Sequence, residues 1–255
     1  GNSVGNTLAA PTGGHRNIIR NNGFDGIAVA EINTADAVPP PSGNTFLGNS
    51  IYSNGKLGID LGGDGKVTLN RYPGGPSTPL VRPSAADAVN FRVNFPTINI
   101  ATEAGTDASV IQGYLLSWRS TAFRIEVYRN DASDPTGYGE GKTLIGSASV
   151  VTDDSLAYAW FVITSALPLK AGQIVCATAT DQYGNTSEFS ENFPVGLETR
   201  IYESSQYVIN KTLSGIPLHW PDGKGTFNFA PSIQTGGFST AIESSFIAWN
   251  LQAVK

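Results

Sequence analysis

Apolar and polar residues alternate over very short runs at the start of the chain, and the runs repeat. Ile27-Ala28-Val29 and Ile59-Asp60-Leu61 each place two apolar side chains on one side of a brief strand. Around them the match continues position by position. Asn17 matches Asn49, Ile19 matches Ile51, Asn22 matches Asn54 and Gly26 matches Gly58. Ahead of these, Gly5-Asn6-Thr7-Leu8 aligns with Gly43-Asn44-Thr45-Phe46. Gly and Asn at fixed offsets suit corners where the chain turns with positive φ. Units with such short strands cannot bury their apolar side alone, so successive units are expected to stack. Asparagines at equivalent corners are then expected to form a hydrogen-bonded ladder. Residues 9–16 and 31–42 interrupt the pattern and are expected as projecting loops.

The pattern changes further on. Residues 111–118, 123–128, 143–151, 158–164, 174–180 and 188–193 read as strands separated by turn-rich segments, the signature of an antiparallel sandwich. At the end of the chain, Ile242, Phe246, Trp249 and Ala253 share one helical face over residues 240–253, with Thr240 and Glu243 as a capping box.

These motifs carry three resemblances. The first region resembles the right-handed parallel β-helix repeats of secreted and cell-surface bacterial proteins, in particular through Gly58-Ile59-Asp60-Leu61. The segment from Ala177 to Ser190 resembles the closing strand of the immunoglobulin-like module that follows such helices, and Asn94-Phe95-Pro96 its opening. The tail, with Leu218-His219-Trp220-Pro221 and its helix, resembles the opening of a matrixin-type zinc metallopeptidase domain. The implied fold is mainly β. It comprises a partial parallel β-helix over residues 1–93, a sandwich over 94–200, and a strand–strand–helix tail over 208–255.

Composition agrees. Charged residues make up 15% of the chain, against about 25% in average soluble domains, and Gly (29) and Pro (15) are plentiful. Short strands and tight turns are favoured over long helices. The formal net charge is -5 and basic residues are scattered, which argues against a nucleic-acid partner. No apolar stretch approaches the roughly 20 residues that span a bilayer. The chain has no Met, and Gly1-Asn2-Ser3-Val4 reads as mid-repeat sequence. It is therefore expected to be a piece of a larger extracellular protein, with its β-helix cut at the N-terminal side. The one cysteine, Cys176, lies in an apolar run and is expected to be a small buried hydrophobe.

Candidate chemistry is sparse. A metzincin zinc site needs three histidines and a glutamate in a fixed string. The only histidines, His15 and His219, lie in no such string, so zinc belongs to a part of the parent beyond this chain. Gly137-Tyr138-Gly139-Glu140-Gly141-Lys142-Thr143 suggests a phosphate loop, but Thr136 stands where its first Gly belongs, so it reads as a turn. Asp25, Asp60 and Asp64, with Arg71 nearby, are the candidates for a carbohydrate-active cluster; ordinary turn acids are the competing reading. Asp60 falls at an outward strand position. Asp60 and Asp64 are also the candidate calcium ligands, helped by backbone carbonyls of the intervening glycine-rich loop. Tyr52, Tyr72 and Trp118 are candidate sugar-stacking aromatics, with core packing the commoner fate. Asn185-Thr186-Ser187 and Asn210-Lys211-Thr212 match the glycosylation pattern.

No complete catalytic or cofactor-binding constellation is legible. The expected role is a non-catalytic stalk or binding segment of a large secreted or surface protein, with carbohydrate or a cell-surface protein as partner. The resemblance of the tail implies a metallopeptidase parent. Two rivals stay open: a β-helix polysaccharide lyase or glycosidase lacking its upstream turns, and a non-enzymatic adhesin.

Overall fold

The computed structural model describes residues 2–30, 40–68, 88–103, 108–155 and 157–196. The chain divides into two units, Gly1–Ile201 and Tyr202–Lys255, and all described residues belong to the first. The tail whose sequence resembles a metallopeptidase opening, residues 208–255 with His219 and Asn210, lies outside the described residues, as do Arg71 and Tyr72. What is described is mainly β.

Six short strands form three parallel pairs. β1 (Ser3–Gly5) lies on β4 (Thr45–Leu47), β2 (Ile18–Arg20) on β5 (Ser50–Tyr52), and β3 (Ile27–Ala30) on β6 (Ile59–Gly62). Two tiers result, one stacked on the other. Ile19 sits on Ile51, Ile27 on Ile59 and Val29 on Leu61, the register of the sequence repeat. Their side chains and Phe46 form one apolar core.

The first strand pair corrects one alignment. Val4 lies on Phe46, so the counterpart of Asn44-Thr45-Phe46 is Asn2-Ser3-Val4 and not Asn6-Thr7-Leu8. The two tripeptides share a pattern, and hydrogen bonding separates them. Asn2 Nδ2 donates to Asn44 Oδ1 at 3.3 Å. Asn6 instead staples its own loop, accepting the His15 N–H and donating to Pro11 O, both at 2.9 Å.

Two other asparagine pairs join the tiers. Asn17 N and Nδ2 both donate to Asn49 Oδ1 at 3.1 Å. Asn22 N and Nδ2 donate to Asn54 Oδ1 at 3.2 and 2.9 Å. Below Asn44, the next acceptor is Asn90 Oδ1, at 3.0 and 3.1 Å from Asn44 N and Nδ2. Asn90 belongs to the short turn Val89–Arg92 and has φ 45°, a left-handed conformation that Asn tolerates better than most residues.

The remaining strands are antiparallel. One sheet has the order β11–β8–β7, with β7 Thr97–Ala101, β8 Val110–Leu116 and β11 Tyr158–Thr164. The other has the order β10–β9–β12–β13, with β9 Ala122–Asn130, β10 Thr143–Val151, β12 Ile174–Asp181 and β13 Phe193–Pro194. A second core, which includes Leu115, Ile125, Val127, Phe161, Ile163 and Val175, is shared by both sheets. Alternation along β9 sends Phe123, Ile125 and Val127 into that core. Tyr128, on the opposite face, packs instead with the core of the tiers, as does Cys176 of β12. All eight residues of β12 are buried, because the strand is covered on both faces. That double burial explains its unbroken run of small and apolar side chains.

Two expectations are corrected here, and one strand was missed. Of residues 188–193, only Phe193 belongs to a strand, the two-residue Phe193–Pro194. Residues upstream run beside β12, but Ala177 and Ala179 donate to the hydroxyls of Ser190 and Ser187 at 2.9 and 3.0 Å, which breaks the regular ladder. β7 was not legible in the sequence, its Ile98 and Ile100 being separated by a bulge against β8. Trp118 is not a surface aromatic; it is 4% exposed and belongs to the sheet core.

Candidate functional site

The most elaborate polar arrangement lies where the second tier meets the four-stranded sheet. A parallel strand edge presents N–H groups that need acceptors, and an open edge invites pairing with other chains. Side chains meet that need here. Gly48 N–H donates to Glu126 Oε2 at 2.9 Å, and Phe46 N–H to Thr186 Oγ1 at 2.9 Å. Leu61 and Thr68 N–H donate to the two oxygens of Glu188 at 2.8 and 2.7 Å. Gly43 N–H donates to Asn185 Oδ1 at 2.6 Å, and Ile51 N–H to Gly141 O at 2.8 Å.

Glu140 extends the asparagine ladder in another chemistry. Asn54 N donates to its Oε1 at 3.1 Å and Asn54 Nδ2 at 2.7 Å. Asn22 gives Asn54 Oδ1 the same pair of donors. The carboxylate thus replaces the amide oxygen of a further asparagine. The glycine-rich string around it is a close approach rather than a phosphate loop. A Cβ at Gly141 would lie 2.7 Å from the Phe189 ring and 2.8 Å from Tyr128.

Burial sets the electrostatics. Glu188 is pushed up to about 7 by burial, against the pull of the Leu61 and Thr68 amides, and the neighbouring Asp60 charge raises it further. Burial also raises Glu140, opposed by its bonds from Asn54. The Tyr128 hydroxyl, which donates to Glu126 Oε2 at 2.6 Å, is raised by burial and by that carboxylate. Arg124 Nε lies 3.1 Å from the other Glu126 oxygen. Cys176 is buried, its thiol donates to Glu140 O at 2.8 Å, and burial raises its pKa, the profile of an inert core thiol.

The acids named from the sequence each accept backbone N–H groups, and Asp60 lies beside Glu188. Asp25 Oδ1 accepts the Leu57 N–H at 3.0 Å. Asp60 faces away from the core that Ile59 and Leu61 enter, as alternation requires, yet it is fully buried because the glycine-rich loop folds back over it. Its oxygens accept the Gly63 and Gly65 N–H groups at 3.0 and 2.7 Å. Asp64 accepts the Lys66 N–H at 3.0 Å. Among the described residues no group of three or more His, Cys, Asp or Glu side chains is placed to hold a metal. His15 is exposed in its loop. Asn185 is buried with both ends of its amide bonded, so it is not a glycosylation acceptor in the folded chain.

Sequence reading missed Glu126, Glu140 and Glu188. Glu126 was detectable as a charge inside the apolar alternation of β9, and Glu140 as a charge between two glycines. It also missed the surface aromatics, although Tyr158-Ala159-Trp160-Phe161-Val162 alternates plainly. Tyr114 and Tyr158 stack with centroids 5.1 Å apart, and Trp160 meets each edge-on at 5.8 and 5.3 Å. Tyr52 is half-buried, with Lys142 Nζ 5.2 Å from its ring centroid. No helix among the described residues is long and apolar enough to cross a membrane.

No protein-family model matches the chain, and no curated protein matches it. A solved structure described as "Biofilm associated protein - BSP domain" is similar over 44% of this chain, at 20% identity and a TM-score of 0.29. The similar part amounts to 15% of that protein's chain.

Proposed function

We propose that the described residues form the last turns of a right-handed parallel β-helix sealed by an immunoglobulin-like sandwich, and that this unit is a non-catalytic stalk or binding segment of a secreted or cell-surface protein. The observation that carries the reading is the use of Glu126, Glu140 and Glu188. Each accepts backbone N–H groups of the second tier, so the acids lock one module onto the other. Such a junction transmits force and orientation, as a stalk must. Single-molecule pulling on the full chain tests it. One unfolding event that releases residues 2–196 together supports the reading; separate release of the tiers at low force would sink it.

A binding role within that segment is favoured by the exposed Trp160, held edge-on by the half-buried stacked pair Tyr114 and Tyr158, since a sugar ring can pack on an exposed aromatic ring. Retention on immobilised polysaccharide, lost in Trp160→Ala, is the expected result. Two further proposals come from the sequence. Calcium at Asp60 and Asp64 would share oxygens already bonded to loop amides. A calcium-dependent rise in Tm that disappears in Asp64→Asn is its test. The metallopeptidase parent predicts a His-Glu-x-x-His string in the reading frame after Lys255, and a frame without one removes it.

A further inference from the structure

The asparagine ladders have a direction. In every pair, backbone N and Nδ2, or Nδ2 alone at Asn2, donate from one tier to the Oδ1 of the next. On the outer face of the first tier, Oδ1 of Asn2, Asn17 and Asn22 accepts no hydrogen bond from any described residue. The apolar stripe behaves in parallel. Phe46, Ile51, Ile59 and Leu61 of the second tier are buried at 4%, 1%, 2% and 2% exposure. Val4, Ile19, Ile27 and Val29, directly above them, remain only half-buried. The outer face therefore offers three aligned acceptors flanking a half-covered apolar stripe. The second tier presents the same acceptors and stripe to the first, and its Asn49 and Asn54 Nδ2 groups also donate back to Val4 O and Ile19 O at 2.7 and 3.4 Å.

Resting on the β-helix reading above, we infer that this face is a docking surface for one more parallel turn of the same ladder chemistry, oriented in the same chain direction. Continuity with the existing tier–tier interface defines the occupant. It must carry an apolar side chain over each of Val4, Ile19, Ile27 and Val29, and an amide donor over each asparagine. A second copy of this chain does not fit. Face to face, its strands would meet those of the first tier antiparallel, unlike the parallel pairs that join the tiers. Its opposite face, which does carry donors, is already closed by Glu126, Glu140 and Glu188.

A tandem chain tests this. Residues 1–42 are repeated once ahead of Gly1 of the full chain, reusing the offset of 42 that separates Asn2 from Asn44. The expected result is a protease-resistant added turn. Amide exchange across Ile18–Arg20 and Ile27–Ala30 of the original tier should slow by about tenfold or more, because their openings become internal. An added turn that stays cleavable, with exchange unchanged, overturns the inference. A second tandem chain carries Asn17→Asp and Asn22→Asp in the added copy alone, which removes the Nδ2 donors without touching the original tiers. Loss of the added protection is expected, and equal protection would overturn the ladder's role. Sedimentation of the unmodified chain should show no self-association; a dimer broken by Ile19→Asp would make a second copy the occupant instead. If the unmodified chain itself shows no protection at Ile27, whose N–H donates to Gly58 O at 3.0 Å, the β-helix reading fails first and the inference with it.

Discussion

The two faces of the tiered region solve one problem in opposite states of completion. On the inner face, each backbone donor named above finds a side-chain or carbonyl acceptor, and the apolar stripe runs on into Tyr128 and Cys176 of the neighbouring sheet and into Phe189 beside it. On the outer face, the same positions one tier earlier have asparagine oxygens that accept from no described residue, and the stripe is half-covered. The repeat unit is the same, so the difference lies in what is stacked on it. A short strand in this arrangement has no stability of its own; its neighbour supplies it.

The largest break in this comparison should come from Glu126. Glu126→Ala leaves the Gly48 N–H and the Tyr128 hydroxyl without an acceptor in a dry interface. We expect a loss of about 3–5 kcal/mol in urea unfolding, the range for breaking a buried charged network. Gly141→Ala presses a methyl onto Phe189 and Tyr128. It should cost about 1–3 kcal/mol by overpacking, while Gly14→Ala, whose new Cβ meets no atom, should cost less despite its positive φ.

Acidity sharpens the comparison in another way, because the raised carboxyls Glu188 and Glu140 lie on the inner face. Glu188 binds its proton more tightly folded than unfolded. Its contribution is fully present below its ordinary value of 4.5 and is lost as pH rises through about 7. Between those values it should tilt stability downward with rising pH by at most about 1.4 kcal/mol per unit. Asp131, lowered by its bond to Lys142, acts with the opposite sign below its ordinary 3.8, outside that window. Urea midpoints at several pH values, compared with Glu188→Gln, check this: the slope should flatten in the variant. The smallest effect separates the ladder's two ends. Asn54→Ala, which loses bonds to both Asn22 and Glu140, should cost about 1–2 kcal/mol. Asn22→Ala on the exposed side should cost under about 1 kcal/mol. Equal losses would mean that the two faces are energetically alike.

Much of the tiered architecture could be read from the chain. Matching Asn, Gly and aliphatic positions recur because each tier presents the same surface to the next, so the register of Ile19, Ile27 and Val29 follows from local pattern alone. The strands Thr143–Val151 and Tyr158–Thr164 were equally legible, since one face of each is buried and alternation is strong. The junction was not legible. Glu126, Glu140 and Glu188 meet the second tier across 78, 86 and 127 residues of chain. No periodicity records such a distance.

What the linear order determined, then, is whatever repeats or alternates: short strands, corners that need Asn or Gly, and a mainly β chain. Tertiary structure decided the rest. It chose Asn2-Ser3-Val4 over Asn6-Thr7-Leu8 as the first rung, because only the former places its asparagine over Asn44. It buried Asp60 beneath its own loop and Trp118 within the sheet core. It also turned three acids from candidate chemistry into acceptors for a strand edge. The physical reason is common to all these cases. A polar group's role depends on which unsatisfied partner lies opposite it, and that partner is set by packing between distant segments, not by its neighbours in sequence.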